Sequence, residues 1–116
     1  MGLEKKPNQS VGGSWVRVAS IDEIPAAGVR AVEVNGHELA LYNIAGSIFC
    51  TSNICTHAYA LLSDGFLEGT EIECPLHAGR FDVLTGKALC SPVTENLVVY
   101  ETKVSGTDVL VLLYAR

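Results

Sequence analysis

Two short segments of the chain combine cysteine and histidine at spacings suited to metal binding. The first runs from Cys55 to His57 with the sequence CTH, and the second runs from Cys74 to His77 with the sequence CPLH. Each segment offers one thiolate and one imidazole, so together they supply two sulfur and two nitrogen ligands. Ligands of these types select zinc or iron–sulfur clusters over calcium or magnesium. The sequence therefore predicts a metal centre built from these four residues.

Two kinds of centre can use this ligand set. A tetrahedral zinc site takes four cysteine and histidine ligands, but zinc fingers usually draw a cysteine pair from one element and a histidine pair from another. In this chain each segment mixes the two types. This favours a two-iron cluster with two cysteines on one iron and two histidines on the other, more exposed iron. A zinc-stabilised structural module without redox function remains the alternative.

The other cysteines and the third histidine are interpreted as structural. His37 follows the Asn35-Gly36 turn and is expected to be a solvated turn residue. Cys50 and Cys90 are expected to be small buried apolar side chains, because an isolated cysteine in a β domain usually packs as a hydrophobe.

Composition limits the class of protein. A chain of 116 residues with 48% apolar residues is long enough for one small domain with its own core. Its net charge of −5 argues against nucleic-acid binding, which needs clustered Lys and Arg. The longest apolar run, residues 109–115, is far shorter than the roughly 20 residues of a membrane span. Because the N-terminal residues resemble no secretory signal, we expect a cytoplasmic location, with cysteines reduced or metal-bound.

The elements that must position the centre are short strands separated by turns. We expect residues 1–13 to form a flexible tail and residues 14–116 to form a single domain. The Asn35-Gly36 pair predicts a tight hairpin, and Ser20–Ile24 allows one short helical turn. These patterns indicate an all-β fold, a small antiparallel sandwich or barrel. The predicted strands are Val29–Val34, Glu38–Asn43, Ser47–Thr51, Leu97–Val104 and Asp108–Tyr114, the last covered on both faces.

A loop-rich segment interrupts this β pattern between about residues 53 and 92. Its strands are shorter, and it contains three of the four cysteines and two of the three histidines. We interpret it as an inserted lobe, because long loops on a rigid β scaffold are where function usually lies.

The two segments resemble the cluster-binding boxes of a known family. CTHA at 55–58 and CPLHAGRFD at 74–82 resemble the boxes of Rieske [2Fe–2S] proteins. SDG at 63–65, TGKA at 85–88 and SPV at 91–93 extend the similarity to the Rieske ferredoxins of bacterial aromatic-ring-hydroxylating dioxygenases, especially the naphthalene and biphenyl types. The resemblance covers about residues 15–115. It implies an antiparallel β sandwich with a small loop-rich cluster-binding lobe.

The resemblance also implies roles for individual residues. Cys55 and Cys74 would bind the inner iron of one [2Fe–2S] cluster, and His57 and His77 would bind the outer iron. In the family a third loop covers the cluster, and here it would begin at Ser91-Pro92. The alternative for Pro92 is an ordinary proline at the start of a strand.

A low reduction potential is implied by comparison with respiratory Rieske proteins. Two extra cysteines bridge the cluster loops in those proteins, and Ala60 and Leu76 stand at the corresponding positions. Gly79 and Phe81 replace the Ser and Tyr whose hydroxyls bond near the cluster sulfurs. Fewer donors stabilise the reduced cluster less, so we expect a potential near the negative end of the family range, at about −150 mV.

The function implied is one-electron transfer within aromatic hydrocarbon catabolism. The chain would accept electrons from a flavin-containing, NADH-dependent ferredoxin reductase and pass them to a terminal oxygenase. With four protein ligands the cluster has no open position for a small-molecule substrate, and no constellation of residues predicts catalysis by the chain itself. A small nitrite-reductase subunit or a monooxygenase ferredoxin remains an alternative.

Acidic residues separate the two boxes. Asp64, Glu68, Glu71 and Glu73 lie in this interval without any Lys or Arg. They are interpreted either as a docking face for basic partner surfaces or as an ordinary solvated surface.

Overall fold

The computed structural model describes residues 13–114, which form eleven strands and two short 3-10 helices. The predicted tail over residues 1–13 lies, except for Gly13, outside the described residues. The 3-10 helices span Ile21–Glu23, as the short turn predicted, and Leu62–Asp64. Over residues 13–114 no helix has the length and apolar character that a membrane crossing requires. The strands are β1 Ser14–Ser20, β2 Val29–Val34, β3 His37–Ile44, β4 Ser47–Ser52, β5 Phe66–Glu68, β6 Glu71–Glu73, β7 Arg80–Asp82, β8 Ala88–Cys90, β9 Val99–Tyr100, β10 Thr102–Ser105 and β11 Asp108–Leu113.

Two antiparallel sheets form the scaffold, and the predicted all-β antiparallel fold is confirmed. One sheet has the order β1-β11-β10 and the other has the order β2-β3-β4-β9. Between them lies a core that includes Leu39 and Leu41 of β3 and Val109, Val111 and Leu113 of β11. In β11 every second residue is buried, as expected for a strand with one face on the core.

Strand β3 is buried on both of its faces from Leu39 to Tyr42. Leu39 and Leu41 point into the sandwich, whereas Ala40 and Tyr42 belong to a second core beneath the lobe. Two-sided burial had been predicted for the last strand, but Leu110 and Leu112 of β11 are only partly buried. The apolar character of β3 therefore connects the scaffold directly to the residues around the centre.

The tight hairpin predicted at Asn35-Gly36 is confirmed. It joins β2 to β3, and its two residues have φ angles of 52° and 81°. Both lie in the left-handed region that a two-residue hairpin of the primed type requires, and Asn and Gly tolerate this region best.

The single strand predicted over residues 97–104 is wrong, because the chain changes sheets at Glu101. Strand β9 pairs with β4, whereas β10 pairs with β11. At the crossing the Thr102 hydroxyl donates to the carbonyl of Ile48 at 2.8 Å, and the Leu112 N–H donates to the carbonyl of Glu101 at 3.0 Å. These bonds satisfy the backbone at the point where the strand is interrupted.

A third antiparallel sheet, in the order β5-β6-β7-β8, lies inside the segment predicted as the lobe. Each of its strands has three residues. Strands this short bury little surface by themselves. They are covered by the core that contains Leu62, Ile72, Phe81 and Val83 together with β3.

Candidate metal centre

The first box is the loop of a small hairpin that follows β4. The Cys55 N–H donates to the carbonyl of Ala60 at 2.9 Å, and Ile54 forms a bridge with Leu61. Asn53, whose side chain is fully buried, binds Ser63 through both ends of its amide at 2.8 and 2.9 Å. These bonds fix the base of the loop, so that residues 56–59 project from it.

The second box is the loop between β6 and β7. The Cys74 N–H donates to the carbonyl of Gly79 at 2.7 Å and closes the loop. Within it His77 and Ala78 have φ angles of 70° and 60°. Non-glycine residues in this region cost about 1–3 kcal/mol each and persist only where the surrounding structure holds them, typically at functional sites.

The two boxes bring the predicted ligands together in two pairs. Cys55 and Cys74 are buried in the same core, with exposures of 4% and 1%. Their sulfurs interact, and burial followed by the proximity of Cys55 raises the pKa of the Cys74 thiol. His57 and His77 are exposed, and their ring centroids are 5.4 Å apart at an interplanar angle of 76°. Buried thiols therefore lie at the base of the site and imidazoles at its tip.

This donor set fits a two-iron cluster. One pair offers sulfur in an apolar setting and the other offers nitrogen at the surface, which matches a cluster with two cysteines on one iron and two histidines on the other. The Leu76 N–H donates to Cys74 Sγ at 3.4 Å. Bonds of this kind orient a thiolate ligand and stabilise its negative charge. Within residues 13–114 no group of three or more His, Cys, Asp and Glu side chains surrounds a position for a single metal ion.

A third loop contacts both boxes. It begins at the cis Ser91–Pro92 bond, after β8 has ended, so the alternative that Pro92 starts a strand is wrong. The Thr56 hydroxyl donates to the carbonyl of Glu95 at 2.8 Å. A Cβ atom at Gly79 would lie 2.5 Å from Val93 Cγ1, so the second box and the third loop are in direct contact.

Of the three predictions made for the residues interpreted as structural, one is confirmed and two are wrong. Cys50 is buried, and burial raises its pKa to about 12. Cys90 is exposed rather than buried, because β8 is an edge strand of the lobe sheet, and its Sγ lies 4.0 Å from the carbonyl of Ala78. His37 is not a solvated turn residue: it is the first residue of β3, is partly buried, and meets the ring of Tyr100 edge-on at 6.1 Å.

The acidic residues between the boxes are not free of positive charge. The Arg80 guanidinium contacts Glu71 at 2.8 Å, Glu68 at 2.9 Å and Glu73 at 3.0 Å, and these carboxylates raise the pKa of Arg80. We call these four residues the Arg80 cluster. The cluster could not be foreseen from the sequence, because Arg80 lies after His77, outside the interval that contains the carboxylates. The pairing of β6 with β7 is what places it opposite Glu73.

The β sandwich, the lobe and the paired boxes define the class of protein. The family model for the Rieske [2Fe-2S] domain matches residues 14–101, and the chain belongs to this family. Its cofactor is one Rieske-type [2Fe–2S] cluster. The alternative of a zinc-stabilised structural module is therefore wrong.

Known relatives narrow the class further. The chain is 55% identical over 97 residues to the ferredoxin component of the naphthalene 1,2-dioxygenase system of Pseudomonas aeruginosa, covering 84% of this chain and 93% of the relative. The ferredoxin of carbazole 1,9a-dioxygenase from Nocardioides aromaticivorans IC177 has 39% identity and a TM-score of 0.81, covering 84% and 96% of the two chains. The chain is thus a Rieske ferredoxin of the aromatic dioxygenase type, an electron-transfer component rather than a catalyst.

One relative has been solved in complex with an oxygenase. The complex contains reduced oxygenase and oxidised ferredoxin of carbazole 1,9a-dioxygenase. The match in this structure has 37% identity and a TM-score of 0.80, and covers 84% of this chain and 92% of the matched chain.

Proposed function

We propose that Cys55 and Cys74 bind the inner iron of the cluster and that His57 and His77 bind the outer iron. The support is the arrangement of the two pairs, with buried sulfurs at the base and exposed imidazoles at the tip. All four ligands come from the protein, which leaves no iron position for a substrate. The exposed rings bring the edge of the site to the surface, where a partner protein can approach.

We propose further that the chain carries electrons from a flavin-containing, NADH-dependent ferredoxin reductase to the terminal oxygenase of an aromatic-ring-hydroxylating dioxygenase. When bound, the cluster takes up and releases one electron. The residues of the chain hold it, tune its potential and expose its histidine side to the partners. The observation that carries this proposal is the exposed His57–His77 pair on a chain that closely resembles dioxygenase ferredoxins. An NADH-dependent donor also supports a cytoplasmic location.

We further propose a low reduction potential at the negative end of the Rieske range, at about −150 mV. Gly79 and Phe81 are buried within the second box and have no hydroxyl to donate to the cluster sulfurs. Ala60 and Leu76 cannot form the disulfide that joins the loops in respiratory Rieske proteins. The contacts of the third loop with Thr56 and Gly79 join the two boxes without a covalent bond.

We also propose that residues 14–116 act as one domain, with residues 53–92 as its cluster-binding lobe. The core beneath the lobe contains Ala40 and Tyr42 of β3 as well as Cys55 and Cys74. Because the lobe and the scaffold share this core, the scaffold supports the ligands directly.

Reconstitution tests the electron-carrier proposal. The purified holoprotein is combined with the reductase and the oxygenase of a naphthalene 1,2-dioxygenase system, and NADH oxidation and the hydroxylated product are measured together. We expect product formation that depends on this chain, its loss with His77→Ala, and its retention with His37→Ala. A holoprotein with an intact cluster that the reductase does not reduce, or that does not support product formation, would contradict the proposed role.

A further inference from the structure

The Arg80 cluster lies at the base of the second box. Arg80 is the first residue of β7, and its guanidinium is shared among carboxylates from two neighbouring strands, Glu68 of β5 and Glu71 and Glu73 of β6. The side chains of Arg80 and Glu73 are only 28% and 26% exposed. The Arg80–Glu73 pair is therefore partly shielded from water, whereas the side chains of Glu68 and Glu71 are more exposed, at 76% and 43%.

The Arg80–Glu73 pair lies at the base of the loop that carries the proposed ligands Cys74 and His77. The two residues are directly opposed in the β6–β7 pairing, and they flank Cys74 and Gly79, which are joined by the bond that closes the loop. The loop beyond them contains His77 in the left-handed region. Any separation of β6 from β7 at this rung would release both Cys74 and His77 from their positions.

Arg80 neutralises part of the negative charge of the Arg80 cluster. Three carboxylates face one guanidinium, so Arg80 reduces the local charge from −3 to −2. Without it, like charges on β5 and β6 would repel one another, and one of the carboxylates belongs to Glu73, which directly precedes Cys74. Additional negative charge near a redox centre disfavours the reduced state, because reduction adds a further negative charge.

We propose that Arg80 is a positioning residue of the cluster site, which holds the base of the second box closed and compensates the carboxylate charge beside the cluster. This inference rests on the proposed ligand set, because it assumes that Cys74 and His77 bind the cluster. It assigns to Arg80 one geometric and one electrostatic effect, and these can be separated.

The geometric and the electrostatic effect can be measured separately, because lysine has the same charge as arginine but a different shape. Arg80 uses Nε, Nη1 and Nη2 to bind three carboxylates at once, which a lysine ammonium on a flexible stem cannot do with the same geometry. Arg80→Lys should therefore keep the compensation of charge and lose part of the closure. Arg80→Gln should lose both.

The experiment compares the holoproteins of wild type, Arg80→Gln, Arg80→Lys and Arg17→Gln. The last is a matched control, because Arg17 binds Asp108 at 2.8 Å on the scaffold sheet, away from the boxes. Two quantities are measured: the midpoint potential by EPR-monitored titration, and the half-life of the cluster absorbance in the presence of an iron chelator.

For Arg80→Gln we expect a more negative midpoint potential and a half-life shortened by about fivefold or more, as for the loss of a partly shielded charge network. Arg80→Lys should retain the wild-type potential and have an intermediate half-life. Arg17→Gln should match wild type in both. The inference is overturned if Arg80→Gln behaves like Arg17→Gln, and its electrostatic part is overturned if Arg80→Lys shifts the potential as far as Arg80→Gln.

Two further variants keep the inference testable if Arg80→Gln assembles no cluster. Glu68→Gln and Glu71→Gln leave Arg80 in place and remove one negative charge each, so both should raise the midpoint potential, and unchanged potentials would overturn the electrostatic effect. If the proposed ligand set itself is wrong, wild type and Arg17→Gln will also lack the EPR signal of a histidine-ligated cluster, which distinguishes this outcome from failure of the inference about Arg80.

Discussion

At the scale of single residues, the four cysteines differ in what surrounds each sulfur. Cys55 and Cys74 face each other in the core beneath the lobe, and Cys50 is enclosed in the sandwich between the two scaffold sheets. Cys90 lies on an edge strand with its sulfur exposed. Since reactivity depends on access and on the fraction of thiolate, these environments predict different chemistry.

We predict that Cys90 is the thiol that reacts with iodoacetamide in the folded holoprotein near pH 8. Cys55 and Cys74 would be held as the proposed ligands, and Cys50 remains a buried thiol because its pKa is raised to about 12, well above the pH of the experiment. Intact-mass analysis should show one added carbamidomethyl group in wild type and none in Cys90→Ser. Modification of Cys50 at this pH would contradict the burial described here.

Substitution of the ligands should remove the cluster while the scaffold remains folded. Cys74→Ser and His77→Ala each delete one of the four donors, so neither variant should hold two irons after purification. His37→Ala is the control, because His37 belongs to β3 and contacts Tyr100. Iron analysis and visible absorbance measure the outcome, and a His77→Ala variant with full iron content would contradict the assignment.

The two segments that carry the proposed ligands could be found from the sequence, whereas the environments of Cys90 and Arg80 could not. Cysteine and histidine at close spacing in two segments is a local pattern that is visible in the residues themselves. The exposure of Cys90 depends on its place at the edge of a sheet, and the ion pairs of Arg80 depend on the pairing of β6 with β7. Both are tertiary properties.

At the scale of elements, the contact between the second box and the third loop leaves no room for a side chain at Gly79. A Cβ atom there would lie 2.5 Å from Cγ1 and 3.2 Å from Cγ2 of Val93, which is buried. Gly79→Ala should therefore destabilise the holoprotein by about 1–3 kcal/mol, as overpacking of a core typically does.

Thermal unfolding followed by cluster absorbance tests this prediction. Val93→Ala alone should create a small cavity, and in the double variant it should restore part of the stability lost in Gly79→Ala, because the two side chains share the same space. Additive losses in the double variant would show that the clash with Val93 is not the cause.

Removal of iron should loosen the lobe more than the scaffold. Strands β5 to β8 have three residues each and depend on a core that contains two of the proposed ligands. Strands β3 and β4 are longer and pair over six residue positions. Amide hydrogen exchange of the holoprotein and the iron-free protein should differ mainly between residues 53 and 92. Equal exchange in the two forms throughout this segment would contradict the proposed coupling.

The elements could be predicted where local chemistry determines them. The Asn35-Gly36 hairpin was correct because its left-handed φ angles require particular residues. The strand predicted over residues 97–104 was wrong because alternation of apolar residues does not specify the partner strand. The chain keeps its alternation while it leaves β4 and joins β11.

At the scale of the whole molecule, charge and exposed apolar surface are distributed differently around the cluster end. Residues 55–59 and 74–78 contain no Lys, Arg, Asp or Glu, and Tyr59 and Leu76 are exposed there at 78% and 42%. Three of the acidic residues between the boxes belong to strands β5 and β6 and are bound by Arg80. The net charge of −5 therefore acts on partners over distance, while residues 55–59 and 74–78 themselves contribute no Lys, Arg, Asp or Glu.

This distribution predicts a dependence on salt. Reduction of the protein by the proposed reductase should slow as ionic strength rises from about 0.05 to about 0.5 M, because salt would screen the attraction between this acidic protein and a basic surface on that partner. Reduction by dithionite is the control, since this anionic reductant is repelled by the same charge and should react faster at high salt. A reductase rate that is indifferent to salt would leave the acidic residues as an ordinary solvated surface.

Spectroscopy of the purified protein checks the claim that this chain holds one [2Fe–2S] cluster through two cysteines and two histidines. Absorption and EPR spectra are recorded before and after addition of dithionite, with iron and acid-labile sulfide counted. We predict a red-brown protein with two irons and two sulfides per chain, which is EPR-silent when oxidised and gives the signal of a histidine-ligated cluster when reduced. A colourless protein that contains one zinc would contradict the claim and remove electron transfer from its function.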